Sequence, residues 1–184
     1  MPSRKLNTFV VRGNTAIIDI STPTYPNRRA VIDLKNLPRV INGLGRWLPS
    51  KSDTKLYVAR KKTNPETGRK TNEFLHRLLA ADEQHPCVDH RDGDTFNNLE
   101  NNLRPCTGAQ NSANQVGRHA YDYKGITRRV RARTIQWEAR ICREGEHFRI
   151  GMFKSQCAAA RAYDKVAKRL FGEFALTNFQ KAAQ

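Results

Sequence analysis

Apolar residues along this chain change their period several times, and each change marks an element. Phe9-Val10-Val11 and Ala16-Ile17-Ile18-Asp19-Ile20 flank Gly13-Asn14, a strand–turn–strand arrangement that predicts a β-hairpin. A proline-containing loop spans 22–29. Leu34, Leu37, Val40, Ile41 and Leu44 then recur at helical spacing, with Gly43 and Gly45 placed to stop that helix. Residues 56–59 (LYVA) read as a strand and 63–70 as a turn. Phe74, Leu75, Leu78 and Leu79 return to helical spacing, and Pro86 closes the segment. His76 and Arg77 fall on the other side of that helix, where a histidine is expected as a surface or packing residue.

The stretch 87–115, CVDHRDGDTFNNLENNLRPCTGAQNSANQ, breaks the apolar pattern and carries the chemistry. Cys87-Val88-Asp89 reads as one strand, and Leu103-Arg104-Pro105-Cys106 as its return. Between them lie an acidic glycine turn (Asp92-Gly93-Asp94) and four asparagines (Asn97, Asn98, Asn101, Asn102). Thr107 with Gln110 three residues on is a capping-box pattern, predicting a helix over 108–116 that Gly117 ends. Two strands and a helix would bring Asp89, His90 and Asn111 into one cleft. Carboxylate and amide oxygens suit a hard divalent cation, and the imidazole is left free to act as a base. Adjacent side chains of a regular strand point to opposite faces. Asp89 and His90 must therefore approach a substrate from different directions, or the strand must break between them. An EF-hand is excluded, because positions 3 and 5 counted from Asp89 are Arg91 and Gly93. No P-loop or nucleophile elbow occurs.

Beyond a linker at 117–122 the pattern becomes that of three strands and a helix. Trp137, Ala139 and Ile141 alternate with Glu138, Arg140 and Cys142, while Phe148 and Ile150 oppose His147 and Arg149. The helix expected over 155–170 has an inner stripe of Ala159, Ala162, Tyr163, Val166, Ala167 and Leu170. Its small residues allow close packing on a sheet whose outer face is left rich in arginine.

Charge sharpens this picture. Lys plus Arg number 33 against 17 acidic residues, a net +16. Residues 118–172 alone carry 14 basic and 5 acidic side chains. An excess so unevenly placed points to a polyanion, nucleic acid before membrane. No apolar run reaches the ~18 residues of a membrane span, and the first residues lack a signal-peptide core, so a cytoplasmic location is expected. Four widely spaced cysteines form no CxxC pair, which argues against structural zinc and for reduced thiols.

The run VDHRDGDTFNNLENNLRPCT with QNSANQ resembles the HNH endonuclease motif in its phage and intron homing-enzyme form, and His76-Arg77-Leu78 is similar to the stretch preceding it there. The resemblance spans about 55–116. It implies a ββα-metal fold with His90 as general base, Asp89 and Asn111 as metal ligands, and Asn102 bracing the hairpin loop. With Asn111 where many members carry histidine, it favours Mg²⁺ or Mn²⁺ over Zn²⁺. The last third, with Tyr123-Lys124-Gly125-Ile126, Trp137-Glu138-Ala139, Ile150-Gly151-Met152-Phe153, AAARAYD at 158–164 and Asn178-Phe179, resembles the plant ethylene-response-factor DNA-binding domain over 121–179. That likeness implies duplex contacts by Lys124, Thr127, Arg129, Arg131, Arg140, His147 and Arg149. Thr127 and His147 stand where that family carries Arg or Trp, so its target sequence does not transfer.

The expectation is an α+β chain with a scaffold segment at 1–54, an HNH nuclease at 55–116 and a three-stranded DNA-binding sheet packed on one helix at 123–180. Its expected activity is metal-dependent, site-specific cleavage of double-stranded DNA, as a monomer or a dimer, in the host cytoplasm if phage-encoded. A non-catalytic DNA-binding regulator with a degenerate nuclease fold is the alternative.

Overall fold

The hairpin around Gly13-Asn14 forms as expected: β1 (Phe9–Arg12) pairs antiparallel with β2 (Thr15–Asp19). The computed structural model describes residues 6–42, 45–52, 55–114 and 123–179. They divide into two units, Met1–Cys106 and Thr107–Gln184. The fold is mixed α+β, built from several small sheets and few helices.

In the first unit β2 also pairs with β3 (Arg29–Asp33), and β3 pairs in parallel with the two-residue strand β8 (Asn97–Asn98). A 3-10 turn at Leu34–Asn36 leads into α1 (Leu37–Ile41), with Pro38 in its first turn where the missing N–H costs nothing. Leu44 and Gly43, expected to extend and end this helix, lie outside the described residues. A second sheet holds β4 (Leu48–Ser52), β5 (Lys55–Thr63) and β6 (Lys70–Phe74), all antiparallel. The turn at 64–69 is closed by the Asn64 side chain, which accepts the Glu66 and Thr67 N–H groups at 2.8 and 3.1 Å.

Three of these strands escape a pattern reading. β6 has no alternating apolar side chains, β4 contains Pro49, and β3 follows a proline loop. Proline is tolerated in β4 because that strand is a sheet edge. α2 (Leu75–Ala80) then leads to the hairpin of β7 (Cys87–His90) and β9 (Leu103–Cys106), whose register sets Asp89 opposite Arg104 and His90 opposite Leu103. One core joins these parts. Ile18, Ile20, Ile32, Val40, Trp47, Val58 and Leu75 are buried together, so the boundary expected at 54/55 falls within a single hydrophobic cluster. Trp47 Nε1 donates to the Val40 carbonyl at 3.1 Å, and the Arg60 guanidinium lies over the indole at 4.5 Å.

The second unit opens with α3 (Gly108–Asn114). Its capping box is reciprocal: the Thr107 N–H donates to Gln110 Oε1 at 2.9 Å, and the Gln110 N–H donates to Thr107 Oγ1 at 3.3 Å. β10 (Ile126–Arg131), β11 (Thr134–Arg143) and β12 (Glu146–Phe153) form an antiparallel sheet in chain order. α4 (Gln156–Phe171) lies on it, and its Ser155 N-cap accepts the Ala158 N–H at 3.2 Å. The observed inner stripe is Ala159, Ala160, Tyr163, Ala167 and Phe171, with Val166 alongside. Leu170, expected inside, is exposed, because the buried face advances by four residues per step and Phe171 takes the last position. α3 packs in the same core through Ala113, and Asp164 clasps the C-terminal segment by accepting the Asn178 and Phe179 N–H groups at 2.7 and 2.9 Å.

Gly125 shows how tight this packing is. Its φ is +74°, and an added Cβ would collide with the Tyr163 ring and the Arg140 carbonyl. Gly125→Ala should lower the stability of this unit by about 2–3 kcal/mol, from overpacking and left-handed backbone strain together. A urea melt checks this, and a wild-type midpoint would show that the ring and backbone yield.

Candidate active site and nucleic-acid interface

The loop between β7 and β9 is held by side-chain hydrogen bonds. Asp92 Oδ1 accepts from the Asp94 N–H at 2.8 Å and from Asn102 Nδ2 at 2.9 Å, and Asp92 Oδ2 accepts from Asn97 Nδ2 at 2.7 Å. Asn102 closes the ring by accepting the Asp92 N–H at 3.0 Å and donating to the Asn97 carbonyl at 2.8 Å. Burial works against the Asp92 carboxylate, yet the hydrogen bonds from Asn97 and Asn102 keep its pKa below the usual range. Short polar side chains that bond to neighbouring backbone are what an acidic, asparagine-rich run supplies. The sequence pattern singled out Asn102 but not its partners Asp92 and Asn97.

β7 stays regular through His90, so Asp89 and His90 point to opposite faces. Asp89 is buried and forms an ion pair with Arg104, its partner across the hairpin. His90 turns toward the first unit's second sheet. Its ring lies 5.1 Å from His76 in an edge-on arrangement and 6.4 Å from Tyr57, while His76 and Tyr57 are 5.3 Å apart. Of the surface and packing roles expected for His76, the structure shows packing: it is buried against the candidate base. The first turn of α2 rotates it inward with Leu75, a placement that apolar periodicity in six residues cannot report.

Burial, the proximity of His90 and that of Arg77 push the His76 pKa down to about 3, so its imidazole is neutral. Burial also lowers the His90 pKa, against the Asn98 hydrogen bond and the charges of Asp89, Asp92 and Asp94, which raise it. Both rings are thus neutral near pH 7, and only a neutral imidazole can accept a proton.

Asn111 sits on α3, in the second unit, where its N–H donates to the Thr107 carbonyl at 3.0 Å. Among the described residues no group of three or more His, Cys, Asp or Glu side chains is arranged to hold a metal. A carboxylate oxygen and an amide oxygen are each hard donors of the kind Mg²⁺ or Mn²⁺ takes, ions that keep several waters and accept further oxygens from phosphates.

In the second unit the register sets Thr127, Arg129, Arg131, Arg140, His147 and Arg149 on the sheet face away from α4. At their centre lies Glu138, buried beneath three guanidinium groups. Arg129 reaches it at 2.7 Å, Arg140 at 3.3 Å and Arg149 at 3.7 Å. The hydrogen bond from Arg129, opposed by burial and joined by the charges of all three arginines, holds the Glu138 carboxyl below its ordinary range. One carboxylate thus orders three cations and leaves the face positive. Lys124 does not join them. Its ammonium donates to the Ala113 carbonyl of α3, and burial lowers its pKa to about 8.

No helix among the described residues is long and apolar enough to cross a membrane. All four cysteines are free thiols. No family model matches the chain. Over 91 residues, half of the chain, the sequence is 34% identical to a protein of Acanthamoeba polyphaga mimivirus described as an uncharacterized HNH endonuclease. The match covers 46% of that relative, so the chain aligns with less than half of its length.

Proposed function

We propose that this protein is a metal-dependent DNA endonuclease of the HNH homing type, with its base on the hairpin of β7 and β9. The observation that carries the reading is the seating of His90: a neutral, buried imidazole at the end of β7, beside a carboxylate and above a loop locked by Asp92 and Asn102. The likeness to a viral HNH endonuclease supports it. His90 takes the proton of the attacking water. Asn102 keeps the loop, and with it the base, in place. Asp89 and Asn111 would hold the Mg²⁺ or Mn²⁺ ion, which when bound supplies Lewis-acid stabilisation of charge on the scissile phosphate. The outer face of the second unit, through Thr127, Arg129, Arg131, Arg140, His147 and Arg149, grips the duplex, while Lys124, engaged by the Ala113 carbonyl, holds α3 instead.

One observation favours the rival reading, a non-catalytic DNA-binding regulator: the Asp89 carboxylate is engaged by Arg104, so an ion must share it. Supercoiled plasmid separates the two. Nicked or linear product with Mg²⁺ or Mn²⁺, abolished by EDTA, supports the nuclease. Intact plasmid with every divalent ion, together with retained duplex binding, supports the regulator.

The grip is tested separately. Arg140→Ala and Arg149→Ala should each flatten the dependence of log affinity on log salt by about 0.9 if the lost contact is to a phosphate. A variant that instead loses ~1–3 kcal/mol on one sequence alone marks a base reader. Unchanged affinity and slope in both variants would remove this face from the interface.

A further inference from the structure

The first unit explains why its N-terminal sheet is attached to the catalytic hairpin at all. β8 is only Asn97–Asn98, and it exists because β3 pairs with it, Val31 with Asn97 and Ile32 with Asn98. The Val31 N–H donates to the Phe96 carbonyl at 2.9 Å and anchors the same segment. This pairing seats the Asn98 side chain in the interior, where it is 0% exposed. A fully buried amide must find partners, and its two ends are chemically different.

Those partners settle its orientation. Asn98 Nδ2 faces the Thr95 carbonyl at 3.3 Å, and a carbonyl only accepts. Asn98 Oδ1 must therefore be the atom that faces His90 Nε2 at 3.4 Å. Flipping the amide would set Oδ1 against the Thr95 carbonyl oxygen, two acceptors with no proton between them. An amide oxygen also only accepts, so His90 Nε2 carries the proton and Nδ1 holds the lone pair. Thr95 is itself fixed, because its hydroxyl donates to the Leu56 carbonyl of β5. A chain of donors and acceptors thus runs from β5 through Thr95 and Asn98 to His90. On its other side the imidazole meets the rings of His76 and Tyr57, and Tyr57 also belongs to β5.

Resting on the nuclease reading above, we propose that Asn98 is the positioning residue of the base: it accepts the Nε2 proton of His90, fixes the tautomer and makes Nδ1 the atom that takes the proton from water. Asn98 touches no substrate and acts only through His90. The N-terminal sheet acquires a function by the same argument, since β3 is the strand on which Asn98 is held. Sequence reading counted Asn98 as one of four loop asparagines. Its role follows from a parallel two-residue pairing to a strand more than sixty positions earlier in the chain.

The test separates tautomer from cleavage. In full-length, isotope-labelled protein at neutral pH, nitrogen NMR of the histidine side chains should show His90 protonated on Nε2 and bare on Nδ1. Asn98→Leu, of similar volume without an acceptor, should yield a mixture of tautomers and lose on the order of 10²-fold in single-turnover cleavage. Its duplex Kd should stay within about 2-fold, since Asn98 is buried inside the first unit and the proposed DNA-gripping side chains belong to the second. Asn98→Asp keeps an acceptor oxygen and should retain the Nε2–H tautomer and most of the rate. A wild-type His90 protonated on Nδ1 overturns the proposal, whatever the variants do and even if Asn98→Leu fails to fold. So does an Asn98→Leu protein that keeps both the tautomer and the rate. If the tautomers behave as stated but wild-type protein cuts no plasmid under any divalent ion, the nuclease reading fails and the positioning role stands.

Discussion

His90→Ala should cut supercoiled plasmid at least about 10²-fold more slowly than the wild type while binding duplex DNA with little change. The imidazole is the only group in the cluster that combines a neutral state near pH 7 with carboxylates close enough to stabilise the charge it gains. His76 cannot replace it, because its pKa of about 3 leaves it unable to hold a proton at neutral pH. The arginines proposed to grip the duplex lie in the other unit and are untouched by the change, which is why binding should survive. His90 is buried, so Ala also leaves a cavity, and a loss of activity through unfolding has to be separated from a loss of base. His90→Gln fills most of the space and keeps a donor for Asn98 but has no titrating nitrogen. Both variants slow with wild-type melting behaviour is the expected result. Wild-type cleavage by either one would remove His90 from the chemistry.

Arg104→Met should destabilise the first unit by about 3–5 kcal/mol, the cost of removing one partner from a buried ion pair. Asp89 and Arg104 are both buried, and β7 and β9 set them directly opposite each other. Met keeps the length of the side chain, so the loss reports charge rather than volume. The double change Asp89→Leu with Arg104→Met replaces the pair by apolar groups and should recover much of the stability. It should not recover cleavage, because the carboxylate proposed to hold the metal is gone. Urea melts of the two proteins with plasmid assays on each decide the matter. A wild-type midpoint for Arg104→Met would show that water reaches Asp89 and that the pair contributes little.

Local chemistry made much of this protein legible. The Gly13-Asn14 hairpin, the Thr107–Gln110 capping box, the β7–β9 hairpin and the three strands before α4 are all specified by turn residues, caps and apolar alternation within a dozen positions. Asp89, His90, Asn102 and Asn111 stood out because their spacing resembles a motif. The same local view misplaced Leu170 and left open whether His76 faces solvent or packs inside. Each depends on the phase of a helix against a neighbour, and six to sixteen residues leave that phase loose by one position.

The sequence by itself determined the hairpins, the long helix with its small-residue face, the uneven positive charge and the asparagine-rich loop, because each follows from the backbone preferences and polarity of nearby residues. Only the tertiary structure decided that β3 reaches across the chain to seat Asn98, that Arg104 engages Asp89, that His76 and Tyr57 wall His90, and that Glu138 gathers three arginines. These contacts join residues far apart in sequence or across a sheet. Their energy comes from burial and charge pairing, which exist only once the strands have met.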